Sequence, residues 1–236
     1  MGISFKRHRF SPSVIRRAVW LYLRFTLSLR DVEEILAGEG IDVSYETIRC
    51  WVAKFGPEIA RNLKVLRPDP SPRWHLDEVF CRVGGKRLYL WRAVDDEGVV
   101  LEQVVHRYRD GWTAYKFLVQ LITNQPISPE KITTDGLKSY GQALRLIRFD
   151  DLHERPGRHK NNRAENSHLP IRRRERKMQG FKSQASAQQF LTSHAAVYNT
   201  FSTQRHLTSR RALKRLRAEA FAKWRKATRV DVRKYK

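Results

Sequence analysis

The chain has 236 residues, of which 47 are Lys or Arg and 24 are Asp or Glu, a formal charge of +23. A positive field of that size selects a polyanionic partner, nucleic acid ahead of a membrane surface. A hydrophobic content of 41% excludes a disordered tail, and Cys50 and Cys81, the only cysteines, exclude a disulfide framework or a CxxC zinc site.

No apolar run approaches the roughly 20 residues that span a bilayer. The opening MGISFKRHRF is basic and lacks an apolar core, so secretion is not expected. A cytoplasmic protein bound to the nucleoid, with two reduced and buried thiols, is the expectation. The length suits one large domain, or a small one beside a medium one.

In chain order, residues 1–10 read as a basic arm carrying Lys6, Arg7, His8 and Arg9. Ser11-Pro12 is an N-cap with proline in the first turn, and Ile15, Ala18, Val19 and Tyr22 keep helical spacing after it. Ser28-Leu29-Arg30-Asp31 starts a second helix, which Gly38 and Gly40 end. Ser44 opens a third, with Ile48, Trp51, Val52 and Phe55 on one stripe, and Gly56-Pro57 is expected to interrupt it. Helix, glycine turn, helix is the layout of a helix-turn-helix, whose last helix enters the major groove. Its base-reading residues would be Ser44, Tyr45, Thr47 and Arg49. A plain three-helix bundle is the alternative.

Residues 62–73 are polar and proline-rich and read as a linker. Trp74–Val83 then alternates with apolar residues on both faces, as a central strand does. Gly84-Gly85 turns into a second strand, Arg87–Val94, and the DDEG turn leads to a third, Val99–Val105. Trp112–Ile122 reads as a helix, Lys131–Thr134 as a fourth strand and Ser139–Ile147 as a short helix. The pattern is a mixed α/β layer.

Three acids stand out on three separate elements. Asp77 lies inside the first strand, where an ionised carboxylate is costly unless paired or bound to metal. Asp135 stands where the fourth strand ends, the edge at which α/β sheets place their sites. Glu165 heads a segment of amides and arginines, NNRAENSHLPIRRRERK. Oxygen ligands of this kind suit a hard divalent cation. Each has a plain alternative: a core acid paired with arginine for Asp77, a turn for Asp135-Gly136, and a capping box from Glu165 to the Asn162 backbone.

WHLDEVF, ITTDGLKSYG and NNRAENSH, followed by RRRER and GFKS, resemble the three acidic motifs of bacterial insertion-sequence transposases, closest to insertion-sequence family six. The resemblance runs from the helix-turn-helix to AVYNTFSTQRHLTSR. It implies an α/β fold in which a ribonuclease-H-like, integrase-type catalytic core follows a small all-α helix-turn-helix domain. It implies that Asp77, Asp135 and Glu165 bind two Mg2+ or Mn2+ ions, and that Arg172, seven positions after the glutamate, contacts phosphate. Lys160, Arg173 and Arg174 join it as expected DNA contacts. The family often has lysine at the position of Arg172. Only 29 residues separate Asp135 from Glu165, short of the family's spacing, so the loop over 150–160 is expected to be trimmed. Pro170 is expected to kink the glutamate helix after its second turn.

From Arg205 onward stand 13 Lys or Arg against Glu219 and Asp231, with Leu213, Leu216, Ala220 and Trp224 hinting at one apolar helix side. A tail that contacts DNA is the favoured reading and a solvated tail the other. The helix over Ala187–Phe201 reads as core or dimer packing. The expected domains are therefore a helix-turn-helix at 1–61, a linker at 62–73, the catalytic core at 74–204 and a basic helical tail at 205–236. The expected function is a transposase that binds terminal inverted repeats, cuts 3′ ends and joins them to target DNA as a homodimer or larger assembly. A membrane partner and a small-molecule substrate are not expected. The rivals are a metal-dependent nuclease on the same fold and a non-catalytic DNA-binding regulator.

Overall fold

The computed structural model describes residues 2–154, 161–203 and 208–231. They form two compact units, one of Met1–Arg67 with Gln189–Lys236 and one of Pro68–Gln188.

The first unit is helical. Helix α1 (Pro12–Arg24) has its proline in the first turn, and α2 (Leu29–Ala37) begins at a true capping box between Ser28 and Asp31. Helix α3 (Tyr45–Val65) begins at Ser44, whose hydroxyl accepts from the Thr47 N–H. Ile15, Val19, Val32, Leu36, Ile48, Trp51 and Phe55 form the shared core.

Gly56-Pro57 does not interrupt α3, which runs on through both residues. Proline cannot donate to the carbonyl four residues back, that of Ala53. The side-chain amide of Gln189 donates to that oxygen instead, at 2.7 Å. Gly56 leaves room for Ser193, whose Oγ would sit 2.9 Å from an added Cβ. Two contacts from the far end of the chain thus carry the helix past its breaker. In consequence the linker expected at 62–73 is helical up to Val65, and Asn62 is buried with its amide on the Ala227 carbonyl at 2.8 Å.

The C-terminal segment is no free tail either. Helix α9 (Arg210–Ala227) starts at the Ser209 cap and buries Ala220, Trp224 and Ala227. Phe221 packs on Trp20 at 5.5 Å between ring centroids. The N-terminal arm is held too: Ile3 bridges Val230, Phe5 stacks on Phe55 and His8 lies 2.8 Å from the Lys54 ammonium. Apolar residues placed between the charges give the described arm and α9 a buried side, which composition alone does not reveal.

The second unit is a five-stranded mixed sheet in the order β3-β2-β1-β4-β5. Strands β1 (Arg73–Val83), β2 (Lys86–Asp95) and β3 (Val100–His106) form an antiparallel meander. Helix α4 (Gly111–Asn124) crosses over, and β4 (Lys131–Thr134) pairs parallel with β1. Helix α5 (Lys138–Leu146) and the two-residue β5 (His153–Glu154), parallel to β4, follow. Trp74, Leu76, Trp91, Phe117, Leu118, Leu121, Ile132, Tyr140 and Leu144 make one core between sheet and helices. This is the mixed α/β layer with a ribonuclease-H-like order of elements, and the four strands read from the sequence are all present. Helices α6 (Asn162–Ser167) and α7 (Leu169–Lys177) come next, and α8 (Gln184–Phe201) leads out of the unit.

Cys81 is buried as expected, and burial pushes its thiol up to about 12, so it is inert near neutral pH. Cys50 is exposed on α3, contrary to expectation, because it lies outside the Ile48, Trp51, Phe55 stripe that faces the core.

Candidate active site

The site is built where β4 stops. Strand β4 pairs with β1 only as far as Leu76 opposite Thr134, so beyond that point one edge of β1 is open. Asp77 and Glu78 stand there, and Asp135 follows β4 directly. Ligand oxygens of Asp77, Glu78 and Asp135 all lie within 4.8 Å of one another. The sequence placed Asp77 and Asp135 here. It gave Glu78 no role, because neighbouring side chains on a strand point to opposite faces. The open edge brings the tips of both together.

The two acids of β1 have different surroundings. Asp77 Oδ2 lies 3.2 Å from Nε2 of His168, a ring only 3% exposed. Burial lowers the His168 pKa, which Asp77 partly offsets. A neutral imidazole at neutral pH follows, and its Nε2 lies against Asp77 without a hydrogen bond of ordinary geometry. Glu78 faces the core. Its Oε1 takes the Arg109 side chain through Nε at 2.6 Å and through a terminal nitrogen at 2.5 Å. Burial, and then the charge of Asp135, raise Glu78 to about 7, against the pull of Arg109. The fully buried Tyr140 is close enough that Glu78 and it shift each other, although Glu78 Oε2 and the tyrosine oxygen form no hydrogen bond of ordinary geometry. Arg109 also lies 3.8 Å from Asp135 Oδ2. The three-acid cluster is thus two acids, Asp77 and Asp135, beside one ion pair, Glu78 with Arg109.

Glu165 lies on α6, and that helix is pinned at both ends. Before it, the Asn161 amide donates to the Leu76 carbonyl at 2.8 Å; after it, His168 meets Asp77. Arg92, 1% exposed, adds a bond to Ser167 Oγ at 3.0 Å while holding Gln103 at 2.5 Å. Arg92 is the cross-strand partner of Asp77, so the same stretch of sheet fixes both acid-bearing elements. The Glu165 side chain is exposed and falls outside the set of oxygens within 4.8 Å. It does not close a capping box. The N-cap is Asn161, whose side chain is spent on Leu76, and no side-chain cap bond forms.

The break after Glu165 comes at His168, two residues before Pro170. Pro170 has no N–H for the Asn166 carbonyl, and α6 closes on the His168 N–H, which donates to the Glu165 carbonyl at 3.2 Å. Arg172 is therefore on a separate helix from Glu165, and a shared face cannot be counted across the break. Arg172 and Arg173 are exposed. Arg174 is 2% exposed, so its assignment to DNA contact is corrected: every third or fourth residue of α7 turns inward with Ile171, and Arg174 is one of them. Lys160 lies outside the described residues.

In the helical unit, Ser44, Tyr45 and Arg49 are exposed at the start of α3, with Thr47 half-buried. Arg30 stacks on the Tyr45 ring at 4.4 Å, and Arg49 pairs with Glu46 at 2.6 Å. The residues missed from the sequence are Glu78, Arg109 and His168. His168 stood in the NNRAENSH motif and Arg109 in the charged turn HRYRDGW, but neither signal names a neighbour in space.

The comparisons with known proteins agree with this geometry. Residues 71–204 match the DDE domain family. The chain is 36% identical over 143 residues to a Staphylococcus aureus protein named the transposase for insertion sequence element IS257 in transposon Tn4003, covering 61% of this chain and 63% of that one. The same identity and coverage hold for the transposase of the insertion sequence-like element IS431mec in Staphylococcus aureus strain Mu50. An uncharacterized protein of Methanocaldococcus jannaschii is 32% identical over 152 residues, 61% of this chain and 64% of that one. The matched stretch spans somewhat under two thirds of these relatives. The divalent-metal dependence of DDE domains fits the acids gathered at the end of β4. The chain belongs to the DDE domain family of insertion-sequence transposases.

Proposed function

We propose that this chain is a transposase that binds the terminal inverted repeats of an insertion sequence, frees its 3′ ends and joins them to target DNA. The observation that carries the reading is the meeting of Asp77 and Asp135 at the open edge of β1, within a stretch that matches the DDE domain. Asp77 and Asp135 would hold the first Mg2+ or Mn2+, and Glu165, whose carboxylate makes no hydrogen bond or ion pair among the described residues, would complete the set for a second. Such ions, when bound, supply Lewis acidity and a water of lowered pKa at a phosphodiester. His168 orients Asp77, as buried partners commonly orient metal ligands. Arg172 and Arg173 offer cations to the DNA backbone, as does the exposed face of α9. The exposed start of α3, with Ser44, Tyr45, Thr47 and Arg49, would read base edges in the major groove. Working on two ends calls for at least two copies of the chain, in the cytoplasm where the DNA is.

The test is strand transfer with the DNA flanking the gene, target plasmid and Mg2+. Wild type is expected to give joined product, and Glu165→Gln none. Equal joining by both would remove Glu165 from the metal set. Cutting without joining would favour the nuclease, and end binding with neither would favour the regulator.

A further inference from the structure

Arg109 is out of place if the acids serve only a metal. It lies in the turn between β3 and α4, and its guanidinium reaches within 3.8 Å of Asp135. A fixed positive charge beside a metal-ligating carboxylate opposes the metal. Neutralising Glu78 does not by itself explain an arginine, because a glutamine at position 78 would need no partner. The position is also held with care. Glu78, whose side chain is fully buried, grips the Nε edge of Arg109 on a single oxygen, while the Arg109 side chain stays 41% exposed. A buried carboxylate is a rigid anchor, and its cost is recovered only through such a charge-assisted pair. With Nε and one terminal nitrogen committed to Glu78, the other terminal nitrogen, Nη1, has no hydrogen-bond partner among the described residues.

We infer that Glu78 and Arg109 form a phosphate-binding subsite of the active site, in which Glu78 aims the guanidinium and Arg109 takes a DNA phosphate next to the one being cut. The inference rests on the transposition reading proposed above. A guanidinium suits the task because its rigid planar fork serves two anions at once in fixed directions, one through each edge, a geometry that the compact ammonium of lysine lacks. Asp77 and Asp135 are left to supply oxygens for the metal, with Glu78 engaged by Arg109. Arg109 is thus a substrate-contacting residue and Glu78 a positioning residue behind it.

The experiment is a phosphate-neutralisation scan. Affinity is measured in calcium for end duplexes carrying one uncharged methylphosphonate at a time across the cleavage junction. For wild type, one junction position is expected to weaken binding roughly tenfold, the size of a lost charge-assisted hydrogen bond. Arg109→Gln is expected to bind the unmodified duplex roughly tenfold more weakly and to lose nothing further at that position, because two changes that remove one contact are not additive. If the phosphonate weakens Arg109→Gln as much as wild type, the inference is overturned. Arg109→Lys covers the case of a misfolded glutamine variant: it keeps a charge for Glu78 but cannot serve both anions, so it too should lose the selective position. Mn2+ titration gives a readout that a merely structural role would move the other way. Arg109→Gln should bind Mn2+ at least as tightly as wild type, and weaker binding would mean that Arg109 only holds the acids together. The transposition reading fails separately, if wild type binds the ends and never joins them.

Discussion

The two units of the chain handle charge in opposite ways. Among the described residues of the helical unit, the buried polar ones are Asn62, Ser193, His194 and Thr228, none of them an arginine or a carboxylate. In the sheet unit Glu78, Arg92, Asp95 and Arg174 are all buried. Burying an ionised group costs several kcal/mol and is recovered only by close partners. If the helical unit reads DNA, as proposed, its surface has no need of that cost, because such a surface works in contact with water and through many weak phosphate contacts. A metal site must hold like charges together at fixed places, and the surrounding buried polar groups hold the elements that carry them.

The largest expected effect lies in the sheet unit. Asp77→Asn and Asp135→Asn should each lower strand transfer by roughly a thousandfold, the scale of losing a preorganised electrostatic contact at the reacting centre. Fold and end-DNA binding should be unchanged, as read by circular dichroism and mobility shift. A comparable loss of DNA binding would blur the division of labour between the units.

Next comes Arg92, the buried link between β2, Gln103 and Ser167. Arg92→Ala should cost about 3 kcal/mol in urea unfolding, the scale for breaking a buried polar pair from one side. An exposed arginine of the helical unit, Arg217, replaced by alanine, should cost less than about 0.5 kcal/mol. Equal losses would dissolve the contrast.

The pH dependence sharpens it further. Glu78 is raised to about 7 in the folded chain from an ordinary 4.5, so between those values the folded state holds the proton more often than the unfolded one. Stability should therefore fall as pH rises from about 4.5 to 7, by at most about 3 kcal/mol. Glu78→Gln should flatten that part of the profile, measured in EDTA so that no metal is linked to the titration. A profile equally steep in the variant would place the titration elsewhere.

The smallest effect belongs to the helical unit. Gln189→Leu leaves the Ala53 carbonyl without the donor that replaces the one Pro57 lacks. It should cost about 0.5 to 1 kcal/mol, the net worth of one hydrogen bond at an exposed position. An unchanged melting temperature would mean that water serves as well.

Alternation and turn residues were enough for the strands of the meander and for the crossover helix. Two local signals failed for a common reason. Gly56-Pro57 looked like a stop and Asn162 to Glu165 looked like a capping box, and each was overruled by a partner remote in sequence. Gln189 rescues the first, 132 positions beyond Pro57, and the Leu76 carbonyl draws off the Asn161 amide that starts the second helix.

By itself the sequence determined the charge, the order of elements, and the strand positions of Asp77 and Asp135 that the fold brings together, because strand periodicity and the ends of strands are local properties. The tertiary structure alone decided that Glu78 is tied to Arg109, that His168 backs Asp77, that Arg174 points inward and that α9 and the arm from Ile3 to His8 are packed. Each of these depends on which surfaces meet across the fold, and a one-dimensional pattern carries the chemistry of a side chain but not its neighbour.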